Sequence, residues 1–279
     1  MSDQQPTPTL LQAISSVVPH SHWEPQTGGQ TNRLWRDQTG LVLKQYITEP
    51  KNPLFANDPA AELACLAALA PSGFAPQSVA SGTCESGAWL LYRHIPGAPW
   101  QSGTAHVAKA LKALHAKKPP EGLTPALATA EALNEKTVSI LAEITPESAA
   151  KVRKLAPPAI RIQAPTPAFL HGDPVPGNLI VEGDALTFID WQCPAIGDPV
   201  HDLALFLSPA MQHVYRGAPL TTHEEAEFLK AYDCTEATER LRQIRPHYHW
   251  LMAAYCLWKA ERGAAAYAAA ARLEIARLS

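Results

Sequence analysis

Residues 168–191 place a short β-leaning island inside a C-terminal region whose other segments read as helices. It runs FLHGDPVPGNLI (169–180) and then VEGDALTFIDW (181–191). Leu179–Val181 and Leu186–Ile189 read as strands, with Glu182-Gly183-Asp184 as the turn between them. Folding this hairpin about Gly183 and Asp184 brings residue 178 roughly opposite residue 189. Asn178 and Asp190 then fall at the same open end, and Asp173 lies on the loop that feeds it. The apolar flanks require burial, while the polar mouth requires access. A fold that offers both at one place is the constraint the rest of the chain must meet.

The N-terminal third is mixed. Residues 10–18 read as a short amphipathic helix. Thr31–Arg36 and Leu41–Ile47 read as strands around the turn Asp37–Gly40, residues 59–70 as a helix opened by a proline, and Ala88–His94 as a strand stopped by Pro96-Gly97. After Trp100, helices are expected over 104–117, 126–142, 147–155, 222–232, 235–244 and 246–275. The fold class is therefore α+β, in two lobes. A small β-rich N-terminal lobe (1–95) precedes a larger helical C-terminal lobe (96–279), and a cleft between lobes is a common small-molecule site.

Composition narrows the function. A net charge of -3 argues against a general nucleic-acid binder. No apolar run is long enough for a membrane span, and the N-terminus lacks the basic start and apolar stretch of a secretory signal. Five scattered cysteines without a C-x-x-C read as reduced thiols of a cytoplasmic protein. No obligate protein partner is evident. His20-x-His22 and His247-x-His249 have no further ligands at zinc-like spacing.

The chemistry comes from the hairpin mouth. Two carboxylates and an amide oxygen are hard donors suited to Mg²⁺, which also takes phosphate oxygens and water. A carboxylate near the metal but not on it can accept a proton from an attacking hydroxyl. This is a layout for phosphoryl transfer, where catalysis is mostly positioning and charge neutralisation. Taken singly, each Asp or Asn is equally a turn former.

HGDPVPGNLI, then FIDW and GDPVHDLA, closely resembles the aminoglycoside phosphotransferase and choline kinase superfamily, which shares the protein-kinase-like fold. The resemblance implies Asp173 as catalytic base and Asn178 and Asp190 as Mg²⁺ ligands. His171 becomes a scaffold residue, though alone it reads equally as a core histidine. Asp202 becomes a brace beneath the loop, or else a helix cap. Lys44, ending LVLK, takes the place of the strand lysine that holds ATP phosphates, with Glu62 as its partner. TGGQTNRLW (27–35) resembles the Gly-Gly-x-Thr-Asn loop of choline- and thiamine-kinase-like enzymes and assigns Gly28, Gly29, Thr31 and Asn32 to the nucleotide. The resemblance also implies that Leu91, Tyr92 and His94 belong to the interlobe segment that meets the nucleobase. IDWQ lacks the Gly of Asp-Phe-Gly, and no Ala-Pro-Glu segment follows, which argues against a phosphorylation-switched protein kinase.

The implied activity is ATP- and Mg²⁺-dependent transfer to a hydroxyl of a small cationic molecule of the choline, ethanolamine or thiamine type. The alternatives are an aminoglycoside O-phosphotransferase and a catalytically idle binding module. Trp191 and Asp198 are the acceptor candidates by location. Tyr248, Trp250, Tyr255 and Trp258 offer aromatic faces for a cation, although Leu251, Tyr255 and Trp258 also fit the core stripe of one helix.

Overall fold

The structure, a computed structural model, describes residues 5–19, 22–26, 31–48, 51–127, 129–162 and 165–278. It divides into two compact units. One comprises Met1–Ala98 and Ile180–Cys193, the other Pro99–Leu179 and Pro194–Ser279.

The first unit is built on a five-stranded antiparallel sheet. Its strands are β1 (Trp23–Pro25), β2 (Arg33–Asp37), β3 (Leu41–Gln45), β4 (Ser78–Cys84) and β5 (Gly87–Arg93), in the order β1-β2-β3-β5-β4. The Asp37–Gly40 turn forms as expected. Asp37 Oδ1 accepts from the amides of Thr39 (2.9 Å) and Leu41 (2.8 Å), and Gly40 takes the left-handed backbone at φ 82°. Helix α1 (Pro8–Ile14) starts earlier than expected because Thr7 caps it, its hydroxyl accepting from the Leu10 amide. Leu10 and Ile14 join Trp23, Trp35, Leu43 and Leu91 in one apolar cluster. Helix α2 (Pro59–Leu69) is capped by Asp58, which accepts from Ala60 and Ala61. Strand β4 is invisible to an apolar-alternation reading, because its sequence, SVASGTC, is made of small residues.

The β9–β10 hairpin (Leu179–Glu182 and Ala185–Phe188) lies in a ribbon of order β10-β9-β6, with β6 at Ala98–Pro99. A single break near residue 96 would assign this hairpin to the C-terminal segment. Its contacts instead group most of it with the N-terminal one. The Phe188 amide donates to Phe74 O (3.1 Å), the Thr187 hydroxyl donates to Gly73 O (3.1 Å), and the Phe74 and Phe188 rings stack at 6.0 Å. Gly97 is obligatory beside it. Its φ is 115°, and a Cβ there would sit 2.3 Å from Val181 O.

The second unit carries α3 (Thr104–His115), β7 (Thr124–Pro125), α4 (Ala130–Leu141), α5 (Pro146–Arg153), β8 (Ala168–Leu170), β11 (Ala195–Gly197), α6 (Val200–Phe206), α7 (Pro209–Arg216), α8 (Thr222–Tyr232), α9 (Thr235–Glu261) and α10 (Ala266–Ile275). Strands β7, β11 and β8 form a small sheet in that order, with β11 antiparallel to β8. Helix α8 matches its expected span, closed at its start by a Thr221–Glu224 capping box. Helix α9 runs through Pro246, where the sequence suggested a break. An interior proline costs about 3 kcal/mol, but the run His247–Cys256 is wholly buried, and that burial outweighs it. The stop falls instead near Gly263, at φ 91°, which separates α10. Helices α6 and α7 fall outside the expected spans, although reading Asp202 as a helix cap placed a helix start near α6. Among the described residues no helix is long and apolar enough to cross a membrane.

Candidate active site

Lys44 is the fourth residue of β3, all five of which are buried. An ammonium so placed needs partners. Its Nζ lies 2.6 Å from Glu62 Oε2 and 2.5 Å from Asp190 Oδ1. Two positions on, Tyr46 faces the same side, and its hydroxyl donates to the same Glu62 oxygen at 2.7 Å. Burial alone would lower the lysine pKa. The Asp190 and Glu62 carboxylates reverse that and hold it well above its ordinary value, so Lys44 stays charged. Burial, followed by the Glu62 charge, pushes the Tyr46 hydroxyl far up, so it stays a donor.

Asp190 is held at φ 62°, a backbone region that a residue with a side chain rarely adopts. Such strain persists where surrounding contacts over-determine it, commonly at functional sites. Its carboxylate is the more open end of the trio, 34% exposed against 2% for Lys44.

In the second unit, β8 delivers the chain to a loop running from His171 to Asn178. Asp202, fully buried in the first turn of α6, grips the start of this loop. One oxygen accepts from the His171 amide (2.8 Å), the other from Gly172 (2.9 Å), and His115 Nε2 lies 3.1 Å away. Burial opposes ionisation of Asp202, yet the hydrogen bond and charge of His115 hold its carboxyl below the usual range. His171 Nδ1 accepts from the Asp173 amide at 3.2 Å, so this nitrogen carries no proton and braces the loop. The turn closes on itself. Val175 N donates to Asp173 O at 2.9 Å, and Asn178 N donates to Val175 O at 2.8 Å. The Asn178 Nδ2 donates to Asp173 O (2.9 Å) and to its Oδ2 (3.3 Å). Asp173 itself is half-buried amid buried neighbours. Gly177 has no room for a side chain, since a Cβ would stand 2.8 Å from Tyr215 Cδ1 of α7.

A protein-family model described as the phosphotransferase enzyme family matches residues 22–244. The chain belongs to the phosphotransferase enzyme family. A search of curated proteins by sequence found no match. Among solved structures, the chain is similar to a choline/ethanolamine kinase family protein from Mesorhizobium loti (19% identity, covering 96% of this chain and 92% of that one, TM-score 0.65). It is equally similar to choline kinase LicA from Streptococcus pneumoniae (19%, 95% and 97%, TM-score 0.65). A streptomycin–ATP ternary complex of APH(2")-IIa shares the fold at 13% identity, 88% and 89% coverage and TM-score 0.59. The α+β protein-kinase-like fold expected from the motifs is the fold of this phosphotransferase.

Other candidate residues of the phosphotransferase have their side chains engaged. Asp198 is buried and held by Arg240 in a fork, Nε to Oδ2 at 3.0 Å and Nη2 to Oδ1 at 3.1 Å, while Oδ1 also accepts from the Val200 amide. That carboxylate is spent within the fold rather than offered to a cationic acceptor. Trp191 is fully buried, its Nε1 donating to Phe188 O at 3.0 Å, and it presents no open aromatic face. Tyr248 and Trp250 are core as well, with Trp250 Nε1 bound to Val152 O. His247 and His249 go separately to Asn134 and Glu274.

Asn32 is buried, and its amide is fully used inside the first unit. Thr31 leads into β2, whereas Gly28 and Gly29 lie outside the described residues. Leu91 and Tyr92 sit in β5, the strand flanked by β3 and β4, so their backbones serve the ladder. The His94 amide donates to Gly40 O at 2.8 Å, and its ring Nε2 meets Arg36 at 3.3 Å. Sequence reading missed His115, Arg240, Gln192 and Tyr215, all partners brought in from distant segments. Only Gln192 lay beside a recognised motif, directly after Asp190-Trp191.

Proposed function

We propose that this phosphotransferase uses ATP and Mg²⁺ to phosphorylate a hydroxyl of a small cationic molecule of the choline, ethanolamine or thiamine type. The observation that carries the phosphoryl-transfer reading is the ion-paired trio Lys44–Glu62–Asp190, taken with the braced Asp173–Asn178 loop. Lys44, kept charged and fixed by Glu62, neutralises phosphate oxygens. Asp173 accepts the proton of the attacking hydroxyl. Its orientation comes from Asn178 and from the amides that Asp202 anchors.

The donor set suits magnesium. Asn178 turns its NH₂ toward Asp173, which leaves the amide oxygen as its outward donor, and Asp190 supplies the most exposed carboxylate of the trio. Oxygen donors of these two kinds, carboxylate and amide, with ATP phosphates beside them, are what Mg²⁺ prefers. When bound, the ion neutralises charge that develops on the transferred phosphate. The ATP-bound state of APH(2")-IIa supports ATP as donor here.

The cationic acceptor rests on Tyr215. Its ring packs on Gly177 of the loop, near enough to Asp173 that the carboxylate charge adds to burial in raising the phenol pKa. In the same unit the buried Tyr267 meets Tyr255 edge-on at 6.2 Å, and Tyr255 stacks on Trp258 at 6.1 Å. Tyr215 is the partly exposed aromatic ring beside the base, and such a ring suits an ammonium group. The test is mass-spectrometric detection of phosphorylated product from choline, ethanolamine, thiamine and kanamycin with Mg-ATP. Turnover of one of the first three supports the reading. Kanamycin alone points to an aminoglycoside enzyme, and nucleotide binding without any product points to an idle module.

A further inference from the structure

Three amide side chains in the first unit form a closed knot. Asn32 Nδ2 donates to Asn57 Oδ1 (2.9 Å) and to Gln192 Oε1 (2.7 Å). Asn32 Oδ1 accepts from the Ile47 backbone amide (3.0 Å) and from Asn57 Nδ2 (2.9 Å), and Asn57 Nδ2 also donates to Ile47 O (2.8 Å). Both protons and both lone pairs of Asn32 are used, which is the full capacity of that group.

Each amide can turn either its oxygen or its NH₂ to a partner, so two orientations compete. Here the backbone decides them. The Ile47 N–H can only donate, so Asn32 must present its oxygen there. The Ile47 carbonyl can only accept, so Asn57 must present its nitrogen. Asn32 is then left with its NH₂ facing Gln192, which must accept. The knot therefore needs an acceptor at residue 192, not an amide as such.

Its three members stand where three elements begin or end. Asn32 precedes β2, which pairs with β3 at Leu34↔Lys44. Asn57 precedes Asp58, the cap of the helix that carries Glu62. Gln192 follows Asp190 by two residues, and its carbonyl accepts from the Asp58 amide at 2.9 Å. Glu62 and Asp190 belong to two of these segments, and Lys44 to β3, to which Asn32 is tied through the β2–β3 pairing and the Ile47 amide. We propose that Asn32, Asn57 and Gln192 are positioning residues that hold the trio in register for Mg-ATP, with Gln192 as the acceptor on which the knot closes. This rests on the phosphotransferase reading of Asp190 and Lys44.

Calorimetric binding of a non-hydrolysable ATP analogue with Mg²⁺ tests it on the full chain, without need of an acceptor. Gln192→Met, which deletes the acceptor at similar size, raises Kd about tenfold, the worth of one buried hydrogen bond. Gln192→Glu keeps an acceptor and restores affinity to within about threefold of wild type. Asn32→Ala combined with Gln192→Met loses no more than the worse single variant, because the two act through one bond. Should Gln192→Met not fold, Gln192→Ala takes its place in the series. Wild-type affinity in the methionine variant, a glutamate variant as weak as it, or additive losses overturns the proposal while leaving the phosphotransferase reading intact. Failure of the wild type to bind the analogue overturns that reading, and the proposal with it.

Discussion

The Lys44 ammonium and the Asp190 carboxylate lie 2.5 Å apart although 146 residues separate them in the chain. Lys44 bridges this carboxylate and that of Glu62, and both Lys44 and Glu62 are almost fully buried. Removing the cation leaves the buried Glu62 carboxylate with the Tyr46 hydroxyl as its remaining side-chain donor. Lys44→Met is expected to cost about 3–5 kcal/mol, read by urea denaturation. Adding Glu62→Gln to the same chain should recover part of the loss, since the uncompensated charge is then gone.

Asp198 and Arg240 give a prediction that separates structure from substrate recognition. Breaking this charge-assisted fork with Arg240→Met should cost about 1.5–3 kcal/mol of stability. Asp198→Asn should destabilise similarly while leaving the acceptor KM unchanged. A rise in KM as the main effect would return Asp198 to the acceptor site.

Gly177 and Tyr215 are predicted to compensate. Gly177→Ala places a methyl 2.8 Å from the tyrosine ring, and overpacking of this kind costs about 1–3 kcal/mol. Tyr215→Ala should relieve that clash in the double variant. Alone, it should weaken a quaternary-ammonium acceptor by about tenfold, consistent with loss of a desolvated cation–π contact. Steady-state kinetics on the single variants and thermal unfolding of the pair check both parts.

The buried Asp202 sets a pH dependence. Its carboxyl titrates below the ordinary value of 3.8 in the folded chain. A depressed acid contributes stability above its unfolded pKa and loses it as pH falls through the folded one. Wild type should therefore weaken steeply below about pH 4, and Asp202→Asn should show a shallower slope there with lower stability at neutral pH. Unfolding free energies measured from pH 3 to 7 give the comparison.

Much of this was legible in the sequence, for identifiable reasons. The Asp37–Gly40 turn, the capped helix holding Glu62 and the Lys44 strand each declare themselves within a few residues. The Lys44–Glu62 pairing followed from the resemblance, and the geometry bears it out. What could not be read is pairing over distance. Asp198 looks available until Arg240 arrives from α9, and Asn32 looks like a ligand-facing amide until Asn57 and Gln192 consume it. Trp191 follows Asp190 directly, but its side chain turns into the core against Phe188. Pro246 misled because the burial of the residues beyond it is a property of the folded unit, not of the local sequence.

The central claim is that Asp173 is the base of an ATP-dependent transfer. The direct measurement is kcat for product formation by Asp173→Asn, with the Kd for Mg-ATP determined in parallel. A fall in kcat of about 10²–10⁴-fold with unchanged nucleotide affinity is the expected result. Turnover near the wild-type rate in the asparagine variant would contradict the account.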